Sequence, residues 1–318
     1  MIRKIIVMVS ILSVICVGSV SAAAPKKGVY PTKNIDFLVG FAPGGGADGT
    51  ARILYPSLEK ALGVSINIIN RTGAGGSISW AELARAKADG YTIGLGVMPL
   101  MQNNTILSKT EYHSVDSFTH LGNIALDPVA IVVKPDGPYK TINDLIEAAK
   151  KAPGKVSIGA TGKGSVDYLT SLSMERASGV SYAIVNLEGI EGFTAVMGGN
   201  MDAMPATISA ILQYYKAGQL KVLAVATDKR HPEMPDVPTF KESKVQLLAT
   251  GVYRSLLAPK GIPQDVKATL AKALKQAIDD PAFKERATKI ALPIYYLPPQ
   301  EAEKVTKDLF EAGQKVLK

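Results

Sequence analysis

The sequence predicts an α/β fold in which mostly parallel β-sheets carry helices on their faces. Short apolar or β-branched runs alternate along the chain with segments of helical periodicity, a pattern typical of β-α-β units. The chain has 318 residues, of which 47% are hydrophobic and 20% are charged. A chain of this size and composition is globular and long enough to form two domains.

Six apolar runs have the length and β-branched content of strands: residues 35–39, 66–69, 92–97, 129–133, 156–159 and 222–226. A helix is predicted over residues 141–152, beginning at the N-cap candidate Thr141. Apolar residues after Pro263 form one face of a later helix, and a last helix is expected after Pro299. Pro56 falls inside the first helix, and we expect it to kink or shorten that helix.

The first 23 residues have the layout of a secretory signal peptide. Two cations precede an apolar run that is too short to span a bilayer comfortably, and small residues follow it. We expect cleavage near Ala22 or Ala23 and export to the periplasm. A lipid anchor is disfavoured, because Ile15 precedes Cys16 where a lipoprotein signal has a small residue. Cleavage removes Cys16, the only cysteine, so the mature chain has no thiol for a disulfide or a metal.

The charge pattern predicts an ordinary solvated surface. The formal net charge is +8, but the Lys and Arg residues are scattered at helical spacings rather than clustered. Recognition of a nucleic acid or a membrane requires clustering on one face, so neither is expected as a partner.

The sequence offers little for catalysis. Its three histidines, His113, His120 and His231, have no metal-ligand spacing, and no G-x-S-x-G motif occurs. We therefore expect no enzymatic activity, no cofactor and no metal. An exported hydrolase that uses a pair of carboxylates stays open, because Asp and Glu are too common to exclude it from sequence.

A glycine motif after the first predicted strand raises the question of nucleotide binding. Gly44, Gly46 and Gly49 match G-x-G-x-x-G, but the second strand ends in Asn70 instead of the acid that would bind a ribose. Asp48 lies inside the motif, where its charge would face a pyrophosphate. A nucleotide site is therefore disfavoured. An exported enzyme that binds a nucleotide or phosphate ligand through this loop remains the alternative.

The same loop predicts an anion site of another kind. The start of a helix has unpaired N–H groups, and a second glycine loop at residues 71–76 follows the next strand. In open α/β sheets ligands bind outside the carboxyl ends of the strands, so the two loops should line one wall of a cleft.

Four motifs occur in order along the chain. Gly44, Gly45, Asp48, Ala51 and Arg52 match G-G-x-x-D-x-x-A-R; Asn70, Arg71, Gly73, Ala74, Gly75 and Gly76 match N-R-P-G-A-G-G, with Thr72 in place of proline; Ala88 to Thr92 match A-D-G-Y-T; and Pro235 to Phe240 with Glu242 match P-D-V-P-T-F-x-E. At these motifs the chain resembles the periplasmic solute receptors of the tripartite tricarboxylate transporter family, the Bug or TctC-like proteins.

The resemblance implies a two-domain, type II-like periplasmic binding protein with its ligand cleft between the domains. Residues 24–126 and 247–318 would form a discontinuous first domain, and residues 127–246 the second. The implied function is capture of a small organic carboxylate, such as a dicarboxylate, a tricarboxylate, an acidic amino acid or an aromatic acid. The implied partner is a membrane permease with a large and a small integral subunit, and the receptor itself is expected to be a monomer.

The resemblance also implies the binding residues. The first-domain loops would hold a ligand carboxylate through backbone N–H groups and bridging waters, with Asp48 and Arg52 in structural roles nearby. The implied ligand-binding residues are Phe41, Pro43, Gly44, Gly45, Gly46, Ala47, Thr72, Gly73, Ala74, Gly75, Gly76 and Met98 in the first domain and Thr161, Gly162, Gly164, Ser165, Asn186 and Asp202 in the second.

The second domain departs from the family pattern at positions that shape the far side of the cleft. Tyr168 replaces a histidine, and Glu188 stands where a lysine is usual. Lys163 either pairs with a second ligand carboxylate or is a solvated loop lysine. The sequence therefore leaves the distal part of the ligand open.

Overall fold

The computed structural model describes residues 30–187, 189–247 and 250–318. The predicted signal peptide, its cleavage site and Glu188 lie outside these residues. Within them the chain forms an α/β fold of ten strands and ten helices, which confirms the predicted class. None of the helices in these ranges is long and apolar enough to cross a membrane.

The strands are β1 (Ile35–Val39), β2 (Ile66–Asn70), β3 (Thr92–Met98), β4 (Phe118–Val133), β5 (Ser157–Ala160), β6 (Ala183–Asn186), β7 (Ala203–Thr207), β8 (Lys221–Val225), β9 (Gly251–Pro259) and β10 (Ile294–Leu297). The helices are α1 (Gly46–Leu62), α2 (Ser77–Arg85), α3 (Leu100–Leu107), α4 (Ile142–Lys151), α5 (Val166–Ser178), α6 (Gly189–Gly198), α7 (Ile208–Lys216), α8 (Gln264–Asp279), α9 (Pro281–Lys289) and α10 (Pro299–Leu317). Five of the six predicted strands coincide with these bounds to within one residue. The sixth, 129–133, is the end of the longer β4.

The strands form a continuous sheet in the order β2-β1-β3-β9-β4-β7-β5-β6, with β8 and β10 also paired to β4. The outer strands are parallel, as expected: β1 pairs with β2 and β3, and β5 pairs with β6 and β7. The central strands β9 and β4 are antiparallel to their neighbours. The sheet is therefore mixed, because these two strands run between the two halves of the molecule while helical crossovers connect the parallel strands.

The pairing of β4 with β9 extends from Phe118 opposite Pro259 to Pro128 opposite Gly251. At its end the two backbones approach so closely that a Cβ on Gly251 would lie 2.3 Å from the carbonyl oxygen of Asp127. Only glycine fits at this position. Beyond it, β4 continues between β7 and β8.

Each half of the molecule is packed around hydrophobic cores of its own. Phe37 and Trp80 belong to the core around β1, β3 and β9, while Ile131 and Val132 point to separate cores on the two faces of the other half of the sheet. A small fourth cluster joins the halves and consists of Met98, Val166, Leu169, Leu309 and Val316.

Two local predictions concern helix ends and breaks. Thr141 caps α4 as predicted, and its Oγ1 accepts a hydrogen bond from the Asp144 N–H at 3.2 Å. Pro56, in contrast, does not shorten α1. Arg286 donates to the Ile53 carbonyl at 2.9 Å and to Ser57 Oγ at 2.7 Å. The Arg286 guanidinium thus donates hydrogen bonds in the turn of α1 where Pro56 has no N–H to donate.

His120 lies on β4 inside the first core and is only 3% exposed. In the described part of the chain neither of its ring nitrogens has a hydrogen-bond partner. Burial disfavours the charged imidazolium and lowers the pKa of His120 to about 4.

We predict that His120 makes folding stability depend on pH. Between pH 6.5 and about 4 the unfolded chain binds a proton at His120 that the folded chain does not, so stability falls as the pH is lowered through this window. His120→Leu should reduce the loss between pH 7 and pH 5 by about 2 kcal/mol, measured by urea unfolding at both pH values. The control is His113→Leu, because the His113 side chain is 42% exposed. Equal pH dependence in wild type and His120→Leu would contradict the prediction.

Candidate ligand-binding site

The first glycine loop connects β1 to α1 and is exposed from Ala42 to Gly46. Gly44 has φ +84°, a conformation that favours glycine, and its N–H donates to Asp48 Oδ2 at 2.8 Å. Gly45 is the N-cap of α1 and provides no side-chain cap. The first N–H groups of α1 therefore lack the side-chain acceptor that usually satisfies them.

Asp48 holds this loop in place. Its buried carboxylate accepts hydrogen bonds from Arg52 Nε at 2.7 Å, from Asn70 Nδ2 at 2.9 Å and from Gly44. Burial by itself would raise the pKa of Asp48, but these bonds outweigh it and hold the pKa below its usual value. The Arg52 pairing expected from the sequence is present. A carboxylate that accepts three hydrogen bonds thus anchors the loop.

The second glycine loop connects β2 to α2 and contains a short 3₁₀ turn, Ala74–Gly76. Gly73, Gly75 and Gly76 all have positive φ, and so does Ala74 at +46°. Asn104 of α3 donates to the Gly75 carbonyl at 3.3 Å. The loop thus needs its glycines for its backbone conformation.

The two glycine loops are fixed against each other at the end of β1. A Cβ on Gly40 would lie 2.8 Å from the Cα of Gly76, and a Cβ on Gly76 would lie 2.8 Å from Cη2 of Trp80. The Trp80 ring is buried and packs edge-on to Phe41, with 6.3 Å between the ring centroids. Phe41, a predicted ligand contact, therefore helps to support the second loop.

A cavity of about 580 Å³ lies between the two halves, at the carboxyl ends of β3, β5 and β7. Four helices begin on its wall: α3 at Leu100, α5 at Val166, α6 at Gly189 and α7 at Ile208. Helix N-termini carry partial positive charge and free N–H groups, so this arrangement favours an anion. The lining is otherwise mainly apolar; it comprises Val97, Met98, Pro99, Leu100, Thr161, Ser165, Val166, Asp167, Ile190, Phe193, Met204, Ala206, Thr207, Ala210, Tyr214 and Val252.

Of the predicted site residues, Met98, Thr161 and Ser165 line this cavity. Ser165 caps α5 by accepting from the Tyr168 N–H at 3.1 Å, which places the residue that replaces the family histidine in the first turn of that helix. The predicted loop residues Pro43, Thr72 and Ala74 are exposed, and Ala47 is buried in the first turn of α1.

Asp202 does not reach the cavity. It precedes β7 and lies beside the start of β5, where its carboxylate accepts from Ser157 N at 2.8 Å and from Tyr139 Oη at 2.9 Å. The cavity is at the opposite ends of these parallel strands, so Asp202 has a structural position here. Asn186, at the exposed end of β6, does not line the cavity.

The loop of the second half touches the first half directly. Gly162 and Gly164 have positive φ, and the Gly164 carbonyl accepts from Asn103 Nδ2 of α3 at 2.6 Å. This bond spans the two sides of the cleft. The exposed Lys163 side chain lies between the two glycines, outside the cavity lining. Arg71 is also exposed, and its Nε pairs with Glu82 at 2.9 Å.

Two charged side chains at the cleft were missed by sequence reasoning. Asp167 lines the cavity and accepts from Thr161 Oγ1 at 2.6 Å. Burial raises the pKa of Asp167, and the bonds from Thr161 oppose that shift. Arg254 lies on β9 with its guanidinium 4.0 Å from Asp127. Burial lowers the pKa of Arg254, and Asp127 opposes that shift. A charged residue inside an apolar strand is the signal that could have identified it.

A larger cavity of about 760 Å³ lies on the other face of β9. Tyr253 lines it, whereas the neighbouring Val252 lines the smaller cavity, since side chains alternate along a strand. His231, expected at the surface, borders this larger cavity. Among the described residues, no helix begins there and no predicted binding residue lines it. The smaller cavity is therefore the candidate binding site. The ranges covered by the structure contain no cluster of three potential His, Cys, Asp or Glu metal ligands.

Comparison with known proteins points to one family. The family described as tripartite tricarboxylate transporter family receptor matches residues 50–318. A UPF0065 protein of Agrobacterium vitis is 30% identical over 299 residues, covering 90% of this chain and 86% of that protein.

Solved structures give the same result. A TctC solute binding protein from Polaromonas has a TM-score of 0.81 at 26% identity, covering 91% of this chain and 99% of that one. MatC from Rhodopseudomonas palustris, solved with malate, has a TM-score of 0.74 at 26% identity, with 91% and 100% coverage. The R. palustris protein Rpa4515, solved with adipate, has a TM-score of 0.76 at 25% identity, with 91% and 97% coverage.

We predict that Gly76 is required for packing as well as for its backbone conformation. Gly63 also has positive φ, but a Cβ added to Gly63 would meet no atom within 4 Å, so Gly63→Ala should cost only about 1–2 kcal/mol of left-handed strain. Gly76→Ala adds the contact with Trp80 and should lose about 1–3 kcal/mol more. Urea unfolding followed by far-UV circular dichroism would measure both. An equal loss of unfolding free energy in the two variants would contradict the prediction, because it would mean that Trp80 moves away from the added Cβ at no cost.

Proposed function

Since the chain belongs to the tripartite tricarboxylate transporter receptor family, whose members are periplasmic solute-binding proteins, we propose that it is a periplasmic receptor for a small organic carboxylate. In this proposal the receptor catalyses no reaction, acts as a monomer and delivers its ligand to a permease of one large and one small membrane subunit. Its signal peptide is cleaved near Ala22 or Ala23.

The observation that carries the proposal is the convergence of α3, α5, α6 and α7 on one cavity of about 580 Å³. This volume is within the usual range for small-molecule sites. Several helix N-termini around an apolar cavity stabilise a carboxylate, because their N–H groups are already oriented and need little reorganisation on binding. The structures solved with malate and adipate support the same ligand class.

In this proposal the two glycine loops bind one ligand carboxylate through N–H groups and bridging waters. The cavity then receives the rest of the ligand. Its lining includes Phe193, Met204 and Val252 as well as the hydroxyl groups of Thr161 and Tyr214, so it suits a carbon chain or ring with few polar substituents.

The alternative is an exported enzyme that binds a nucleotide or a phosphate ligand at the first glycine loop. The structure disfavours it, since Asn70 donates to Asp48 and to the Phe41 carbonyl and thus supports the loop from the place where a ribose-binding acid would stand. Phosphate and nucleotides therefore serve as the competing probes in the binding test.

We predict that carboxylates bind and change the fluorescence of Trp80. Trp80 is the only tryptophan of the chain and packs against Gly76 of the second loop, so its emission reports on this site. The panel comprises adipate, malate, citrate and benzoate, with inorganic phosphate and ATP as competing probes, each tested by fluorescence and thermal shift. At one hundred times its Kd a ligand stabilises the folded state by about 2.7 kcal/mol. A response to ATP or phosphate alone would favour the alternative.

We also propose that residues 24–126 with 247–318 and residues 127–246 form the two domains and that they close over the ligand. The bond between Asn103 and Gly164 is the kind of contact that closure would form.

The prediction for closure is a smaller radius of gyration with bound carboxylate. Small-angle scattering would be recorded without ligand and with the panel carboxylate that gives the largest thermal shift. ATP, if it causes no thermal shift, is the matched control and should leave the profile unchanged. An unchanged profile at saturating carboxylate would contradict the hinge but not the binding.

A further inference from the structure

Arg254 lies beside the proposed binding cavity. It is two residues from Val252 on β9, and Val252 lines the cavity. Residues two apart along a strand share a face of the sheet, so the Arg254 side chain projects on the cavity side. Its side chain is 12% exposed.

Among the described residues, the one acid paired with Arg254 is distant. Its Nη2 is 4.0 Å from Asp127 Oδ2, whereas the guanidinium of Arg52 contacts the buried Asp48 at 2.7 Å. The Asp127 carboxylate is also engaged by α7, since it accepts from the Ser209 N–H at 3.2 Å and from Ser209 Oγ. Buried arginine side chains normally make close, often bidentate, contacts to an acid. Arg254 therefore retains capacity for another anion.

Arg254 also lies beside backbone with partial positive charge, because Asp48, the acid in the first turn of α1, is already paired with Arg52. A Cβ on Gly46 would lie 3.1 Å from Arg254 Nη2, so the guanidinium lies against the first turn of α1. This turn is the positive end of the helix dipole and has no side-chain cap. A cation beside a helix N-terminus is unfavourable until an anion binds to both. A ligand carboxylate at this place would neutralise the guanidinium and accept from the first N–H groups of α1.

We propose that Arg254 pairs with the ligand carboxylate at the first glycine loop and is the residue by which this receptor selects anions. The inference rests on the proposed function and adds a formal positive charge to a site otherwise built from backbone N–H groups. It also specifies the ligand class. The carboxylate occupies the Arg254 end, and an aliphatic or aromatic body lies along the apolar lining near Met98 and Phe193.

A purely structural role would be to neutralise Asp127. The two roles differ in the protein without ligand. If Arg254 chiefly stabilises Asp127, its removal leaves a buried carboxylate unpaired and lowers the Tm. If Arg254 is held for a ligand, removal also relieves repulsion from α1, and the Tm without ligand should not fall.

The test compares Arg254→Met with Arg176→Met and Arg230→Met, which remove exposed cations that lie outside the cavity lining and outside the glycine loops. Adipate, malate, citrate and benzoate would be titrated calorimetrically into each protein, and the Tm without ligand would be measured. We expect Arg254→Met to weaken the carboxylate that binds wild type most tightly by at least tenfold, with no loss of Tm. Both control variants should remain within twofold of wild type, and Arg254→Lys should recover part of the affinity.

The outcomes separate this inference from the proposed function. Carboxylate binding that changes less than tenfold in Arg254→Met would overturn the role of Arg254 and leave the receptor function standing. Weaker binding together with a lower Tm would show that Arg254 chiefly stabilises Asp127, and it would also overturn the proposed role of Arg254 in ligand binding. If wild type binds none of the four carboxylates but binds phosphate or ATP, the proposed function fails and the inference fails with it.

Discussion

The antiparallel pairing of β4 with β9 connects the two halves of the molecule between which the cavity lies. β4 pairs with β9 and β10 along its first part and with β7 and β8 along its last part, so one strand belongs to both halves. The backbones lie close together at Asp127 and Gly251, where a side chain on the glycine would not fit. Because of this junction the carboxyl ends of β3 and β7 open onto one cavity, and the helices that follow them begin on its wall.

The proposed site would bind an anion mainly through oriented dipoles. The starts of four helices face a cavity whose lining is largely apolar, and in this low-polarity setting each N–H group interacts more strongly with an anion than it would in water. Asp167 is the acid of the lining, and burial raises its pKa. Arg254 is close to the first turn of α1. If Arg254 pairs with the ligand as proposed, the site has a positive charge on its first-half side and a carboxyl group on its second-half side, and this asymmetry would favour one orientation of the ligand.

The glycine loops are held rigidly although they are exposed. In the first loop the Asp48 carboxylate accepts hydrogen bonds from Gly44, Arg52 and Asn70. The second loop is packed between Gly40 and Trp80. These supporting contacts come from β1, β2, α1 and α2, which are elements of one hydrophobic core. Loops that are already fixed lose little conformational entropy on binding, so more of the interaction energy remains for affinity.

The sequence determined the features that depend on local spacing. Hydrophobic periodicity located five strands to within a residue, and Thr141 marked a helix start. The glycine and Asp48 motifs identified the family and the first-half loops. Strands, caps and tight turns each require particular residue types at short separations, so a local pattern is enough to predict them. Only the tertiary structure decided which distant residues meet. It placed Asp202 at the opposite end of β5 from the cavity, brought Arg254 against Gly46, and let Arg286 support the helix at Pro56. These contacts join residues far apart in the chain, and the packing of whole strands and helices fixes them, so no local pattern in the sequence encodes them.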